Sequence, residues 1–308
     1  MTFEPKKSNV LLVGSGILQA YGGLSWNKYL ERIADVKERV GELNASGCPS
    51  PLQAIIITDD HIDVKLKENR TMLVDPDIAP ECFDFCREIL RAGFDQILTA
   101  NYTYELEAAA FPKNKISEYA LKKKLLRSTN DRVERNYLLH TYNEITFDGK
   151  ENRVWHIHGE HRKPDSIILG HYYYGNLLFK IKEEVKRIDN NRWGDEKGKE
   201  RGASWIDAFL FGDIYCMGFG FNVCEFDLWW LLNRKARERD NTGKLYYYRP
   251  KGKIDKTVEA LFQSMRRYDG EPLVEIIDLD YEFDSCGDSN NYRIFNIMTL
   301  DDIKKRMQ

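Results

Sequence analysis

The sequence has no Cys-x-x-Cys pair, no apolar run near the roughly 20 residues a membrane span needs, and no strong excess of either charge. Its six cysteines stand apart at 48, 82, 86, 216, 224 and 286. That scatter excludes a zinc ribbon, which needs paired thiolates. Reduced, mostly buried thiols are expected instead, because strand–helix alternation of this size needs no disulfides. Lys and Arg total 46 against 49 Asp and Glu, a net charge of −3. No global field therefore draws the chain to nucleic acid or to a membrane surface. The opening MTFEPKKSNVLLVG lacks the longer apolar core and small-residue cleavage site of a secretory signal, so a soluble, cytoplasmic protein is expected. Internal repeats and low-complexity tracts are absent. What is present suits a folded domain: 308 residues, 42% apolar and 12% aromatic, enough to bury a core.

Seven short apolar runs, at 9–13, 54–58, 96–99, 154–157, 214–217, 244–248 and 273–277, are continuous rather than alternating. Such runs suit strands buried on both faces of a parallel sheet. Helical periodicity falls between them, near 24–40, 80–92, 103–110, 118–126, 177–188, 225–239 and 257–267. The alternation predicts one Rossmann-like, doubly wound α/β domain over 1–308. Two stretches interrupt it. Residues 113–150 read as a polar, mostly helical insertion or lid, and 189–202 as a charged loop without apolar periodicity.

Four clusters follow predicted strands. Gly14-Ser15-Gly16 opens the first turn, where glycines let backbone approach a pyrophosphate or simply satisfy turn geometry. Thr99-Ala100-Asn101-Tyr102-Thr103 ends the strand at 96–99; Asn101 offers a donor and an acceptor for a ribose or a water, or caps the next helix. His156, His158 and His161, with Gly159 after His158, offer a general base, a metal-binding cluster or a structural one. Gly218-Phe219-Gly220-Phe221-Asn222, followed by Glu225 and Asp227, is a second glycine turn near a helix start. The tyrosines at 172–174 and 246–248 are candidates for base stacking or for core packing.

Taken in order, Gly-x-Gly, Thr-x-Asn, His-Gly and Gly-x-Gly-x-Asn resemble the sirtuin-like NAD hydrolases of bacterial antiviral defence. The resemblance runs from about Asn9 to Leu232. It includes Pro164-Asp165-Ser166 after His158-Gly159, and Asp227 with Leu231-Leu232 after Gly218. It departs from the family pattern at Thr103, where an Asp is usual, and at Leu18, where the sirtuin signature has Ser.

The resemblance implies a sirtuin-like fold and an NAD+ glycohydrolase that releases nicotinamide and ADP-ribose. Gly14, Ser15 and Gly16 would hold the phosphates, with Thr99, Gly218, Gly220 and Asn222 completing the nucleotide site. Asn101 would orient the ribose and the attacking water. His158 would act as base or bind a ribose hydroxyl. It further implies no cofactor beyond NAD as substrate, no zinc and no protein-deacetylase cleft. Control would come from homo-oligomer packing or a separate sensor protein, with no membrane or nucleic-acid partner. A metal-dependent hydrolase built on His156, His158 and His161, and a non-catalytic nucleotide-binding subunit, are the competing expectations.

Overall fold

The computed structural model describes residues 8–34, 36–59, 61–68, 72–114, 122–125, 136–193, 204–239, 243–250, 255–279, 281 and 289–308. Strand β1 (Asn9–Val13) leads through the single-turn helix α1 (Gly16–Gln19) into α2 (Trp26–Ile33), α3 (Glu38–Ala45), α4 (Ser50–Ile57) and α5 (Ile62–Glu68). Helix α6 (Glu81–Ala92) then returns the chain to β2 (Gln96–Thr99). After α7 (Glu105–Ala108) come β3 (Lys122–Leu125), α8 (Tyr137–His140), β4 (Thr141–Phe147) and β5 (Lys150–His156). The second half runs α9 (His171–Trp193), α10 (Trp205–Phe211), β6 (Asp213–Met217), α11 (Phe226–Ala236), β7 (Leu245–Pro250), α12 (Lys256–Ser264), β8 (Val274–Leu279) and α13 (Ser289–Arg306).

The strands form one sheet in the order β3-β4-β5-β2-β1-β6-β7-β8. From β5 to β8 every pairing is parallel, while β3 and β4 extend the edge as antiparallel strands. Counted along the chain, the parallel part has the doubly wound order 3-2-1-4-5-6, whose direction of winding reverses beside β1. Registers keep the strand ends level: Val13 pairs with Thr99 and with Met217, and Thr99 pairs with His156. The turns that leave β1, β2, β5 and β6 thus start from one edge of the sheet.

Both faces of the sheet are covered, as the continuous apolar runs predict. Val10 and Leu12 of β1 face a core shared with α9, α10 and α11. Leu11 and Val13 face the opposite core, shared with α6 and α13. A third, smaller core joins Tyr29, Leu30 and Ile33 of α2 to Val40, Ala54, Ile57, Ile62 and Leu66, with Ile167 and Leu169. Helices α2 to α5 therefore form a small roof with its own interior. Among the described residues, no helix is long and apolar enough to cross a membrane.

Several elements differ from the sequence expectation. Residues 54–58 lie mostly in α4, not in a strand; Ala54 and Ile57 fill the roof core, and periodicity cannot separate a short buried helix from a buried strand. The helix expected over 24–40 is two, α2 and α3, parted by the extended backbone of Ala34. The described part of 113–150 is not mostly helical: it holds a 3-10 turn, β3, the one-turn α8 and β4, which pairs with β5. The helix expected over 118–126 is strand at Lys122–Leu125, and its remainder lies outside the described residues. Of the loop expected at 189–202, residues 189–193 continue α9 and the rest lies outside the described residues.

Candidate functional site

The turns after β1 and β6 touch. The amide of Gly16 donates to the Gly218 carbonyl at 2.9 Å, and that of Gly14 to the Met217 carbonyl at 3.3 Å. A Cβ on Gly14 or Gly16 would stand 2.6 or 2.7 Å from the Gly218 oxygen, closer than nonbonded atoms tolerate. Gly218 itself has φ +64°, a left-handed backbone that favours glycine. These glycines thus serve first to bring two strand exits together at the point where the winding reverses. Two amides expected to face phosphate are engaged inside the protein.

Beside this junction lies a cleft of about 440 Å³, within the range of small-molecule sites. Gly14, Ser15, Asn101, His158, Gly218, Gly220 and Asn222 all line it, so the four turns singled out in the sequence meet at one cavity. Gly16 and Thr99 stand behind its wall. The Thr99 hydroxyl accepts from the Asn101 amide at 3.1 Å, which fixes the start of that turn. The roof supplies the opposite wall through Trp26, Tyr29 and Pro51, with Met72 and Asp75 from the following segment.

Asn101 is held from two sides. Its Nδ2 donates to the Gly14 carbonyl at 3.4 Å, and its own carbonyl takes the His156 Nδ1 hydrogen at 2.7 Å. Among the described residues Oδ1 has no hydrogen-bond partner, which leaves an acceptor at the cleft. His156 is a support rather than a lining group. Its Nε2 meets Glu107 Oε1 at 2.9 Å; burial works to lower its pKa, but the Glu107 carboxylate outweighs this and raises it. His161 is fixed as the neutral form: Nδ1 donates to the Met72 carbonyl at 2.7 Å and Nε2 accepts from the Tyr29 hydroxyl. Burial lowers its pKa to about 4. The three histidines therefore point to three different partner sets and do not converge as a metal site.

His158 has a different neighbourhood. Its Nε2 lies 2.9 Å from Asp227 Oδ2 and 3.7 Å from Glu225 Oε2. Burial would lower its pKa, but Asp227 and then Glu225 outweigh that and hold it at about 9. At neutral pH the ring is an imidazolium that donates to Asp227, and an imidazolium is a donor rather than a base. Among the described residues Nδ1 has no hydrogen-bond partner, so its N–H is available to a ligand. Burial pushes the Glu225 carboxyl up to about 7, with His158 pulling down and Asp227 pushing up. Tyr174 donates its hydroxyl to Glu225 Oε2 at 3.1 Å. Ligand atoms of His158, Glu225 and Asp227 lie within 4.8 Å of one another, close enough to contact one cation, although the direct His158–Asp227 bond already engages two of them.

In the sequence Glu225 stands near a predicted helix start, and that is also its position, one residue before α11. Only the meeting of the turn before α11 with the turn after β5 gives it a histidine neighbour. Lys235 helps to set that helix: its buried Nζ donates to the carbonyls of Phe209, Leu210 and Gly212 at 3.1, 3.1 and 2.7 Å, at the end of α10. Of the two tyrosine triplets, Tyr174 reaches the cleft. Tyr246 stacks on Tyr215, and Tyr248 donates to Asp302. No protein-family model matches the chain, and no curated protein matches its sequence.

Proposed function

We propose that the chain is a sirtuin-like NAD+ glycohydrolase, cleaving the nicotinamide–ribose bond with water to give nicotinamide and ADP-ribose. The observation that carries the reading is the meeting of four strand-end turns at one cleft, beside the reversal of winding where open α/β sheets bind nucleotides. Bond cleavage builds positive charge on the ribose. The cleft suits such a state: its described lining includes the carboxylates of Asp75 and Glu225 and no Lys or Arg, and the charge of the lining imidazolium, His158, is matched by Asp227 at 2.9 Å. Asn101 Oδ1 orients the ribose and the attacking water, and the His158 Nδ1 hydrogen binds a ribose hydroxyl. Ser15, Gly220 and Asn222 take the remaining nucleotide contacts. Nicotinamide leaves readily, so the reaction requires no metal and no covalent intermediate.

Such an activity depletes NAD. Together with the resemblance to defence hydrolases, this extends the proposal to a cytoplasmic effector of antiviral defence, held inactive by self-assembly or by a separate sensor protein until triggered. The test is chromatographic detection of nicotinamide released from NAD+ by the purified protein. Asn101→Ala and His158→Ala should each lower the rate by at least about 10²-fold. Folded variants with full activity would remove both residues from the reaction. NAD+ bound but left intact would make the chain a binding subunit.

A further inference from the structure

We infer that Glu225 is the catalytic carboxylate of this cleft, facing the anomeric carbon of the nicotinamide ribose and accepting the proton of the attacking water. The inference rests on the NAD+ glycohydrolase reading and reassigns the base from His158 to Glu225.

Three observations carry it. First, of the two carboxylates lining the cleft, Asp75 is occupied as a loop clamp. Its Oδ2 accepts from the Leu24 amide at 2.7 Å and its Oδ1 from the Asp77 amide at 3.1 Å. Glu225 has one oxygen on the Tyr174 hydroxyl, and among the described residues its Oε1 has no hydrogen-bond partner. Its side chain keeps 18% exposure, enough to meet a ligand. Second, His158 and Asp227 bond each other directly, which commits the imidazole Nε2 to Asp227 and leaves Glu225 to receive a proton. Third, with all three groups ionised the cluster carries two negative charges against one positive. That net charge favours a cationic nicotinamide ring in the bound state and a cationic ribose during cleavage. A carboxyl lifted by burial to about 7 is also matched to proton transfer near neutrality.

The step balances. The bond from the anomeric carbon to the pyridinium nitrogen breaks, and its electron pair leaves with nicotinamide, neutralising the ring. A water oxygen bonds to the anomeric carbon. Its proton passes to Glu225, which later releases it to solvent, so the sum is NAD+ and water giving ADP-ribose, nicotinamide and a proton.

The experiment compares the full-length wild type with Glu225→Gln and Glu225→Asp, measuring nicotinamide release from NAD+ and inhibition by NADH, whose ring is neutral. Glu225→Gln should lower kcat by at least about 10²-fold while KM moves no more than about threefold. The ratio of NADH Ki to NAD+ KM should fall by at least about threefold, because the charge that separates the two rings is gone. A residue that only supported the fold would not move that ratio. Glu225→Asp keeps the charge one methylene further away and should lose less than Glu225→Gln. If Glu225→Gln does not fold, Glu225→Asp decides alone: a kcat at least about tenfold down with the ratio retained supports the role, and an unchanged kcat overturns it. A folded Glu225→Gln with kcat within tenfold of wild type overturns this assignment while leaving the glycohydrolase reading intact. Wild-type activity abolished by chelator and restored by a divalent cation would instead make the cluster a metal site and overturn it. A wild type that releases no nicotinamide overturns the assignment and the reading together.

Discussion

His156, His158 and His161 occupy three alternate or nearby positions in the chain, and partners rather than spacing give each its state. Glu107 raises the pKa of His156, Asp227 charges His158, and burial keeps His161 neutral against the opposing pull of the Met72 carbonyl. Side-chain NMR across pH checks this directly. The His158 ring should remain protonated at pH 8 and titrate near 9, while the His161 ring should stay neutral at pH 5.5 and titrate near 4. Both rings titrating near the free-histidine value of about 6.5 would contradict the description. The sequence makes the histidines visible as candidates. It does not reveal how their pKa values differ, because the carboxylates of Glu107 and Asp227 and the residues that bury His161 lie far from them along the chain.

At the level of elements, β1, β2, β6 and β8 were legible because buried parallel strands make short unbroken apolar runs between glycine-containing turns. The run at 54–58 was misleading, since a helix packed into the roof core is just as apolar. Strand β4, with sequence TYNEITF, went unread because its polar residues alternate within a polar stretch, and its pairing with β5 is a long-range property. Helix α7 shows what tertiary context adds. Glu105 is buried there, with Thr103 donating to its Oε2 at 2.6 Å and the Asp75 amide to its Oε1 at 2.9 Å. Burial, the leading cause, raises its carboxyl to about 7. A group whose pKa is higher in the folded state contributes stability that is fully present below the unfolded value and lost as pH rises through the folded one. Denaturant unfolding should therefore show wild type losing stability relative to Glu105→Gln between pH 5 and 8, by on the order of 2 kcal/mol. A constant difference across that range would mean that Glu105 is not buried as described.

For the whole molecule, the consequential feature is the level register of β5, β2, β1 and β6, which sends four turns to one edge of the sheet. The glycines between β1 and β6 let two of those turns touch, and the roof of α2 to α5 closes the space above them into a cleft. Of the lid expected at 113–150, the described residues do not line the cleft; they extend the sheet at its far edge instead. The candidate site was legible as four turns in order, but neither its roof nor its acidic side could be read from spacing. A crystal structure with ADP-ribose tests the central claim most directly. The account predicts the nucleotide in this cleft, with its terminal ribose between Asn101 and Glu225 and its anomeric carbon within about 4 Å of both side chains. Nucleotide bound elsewhere, or with that ribose turned away from Asn101, would contradict it.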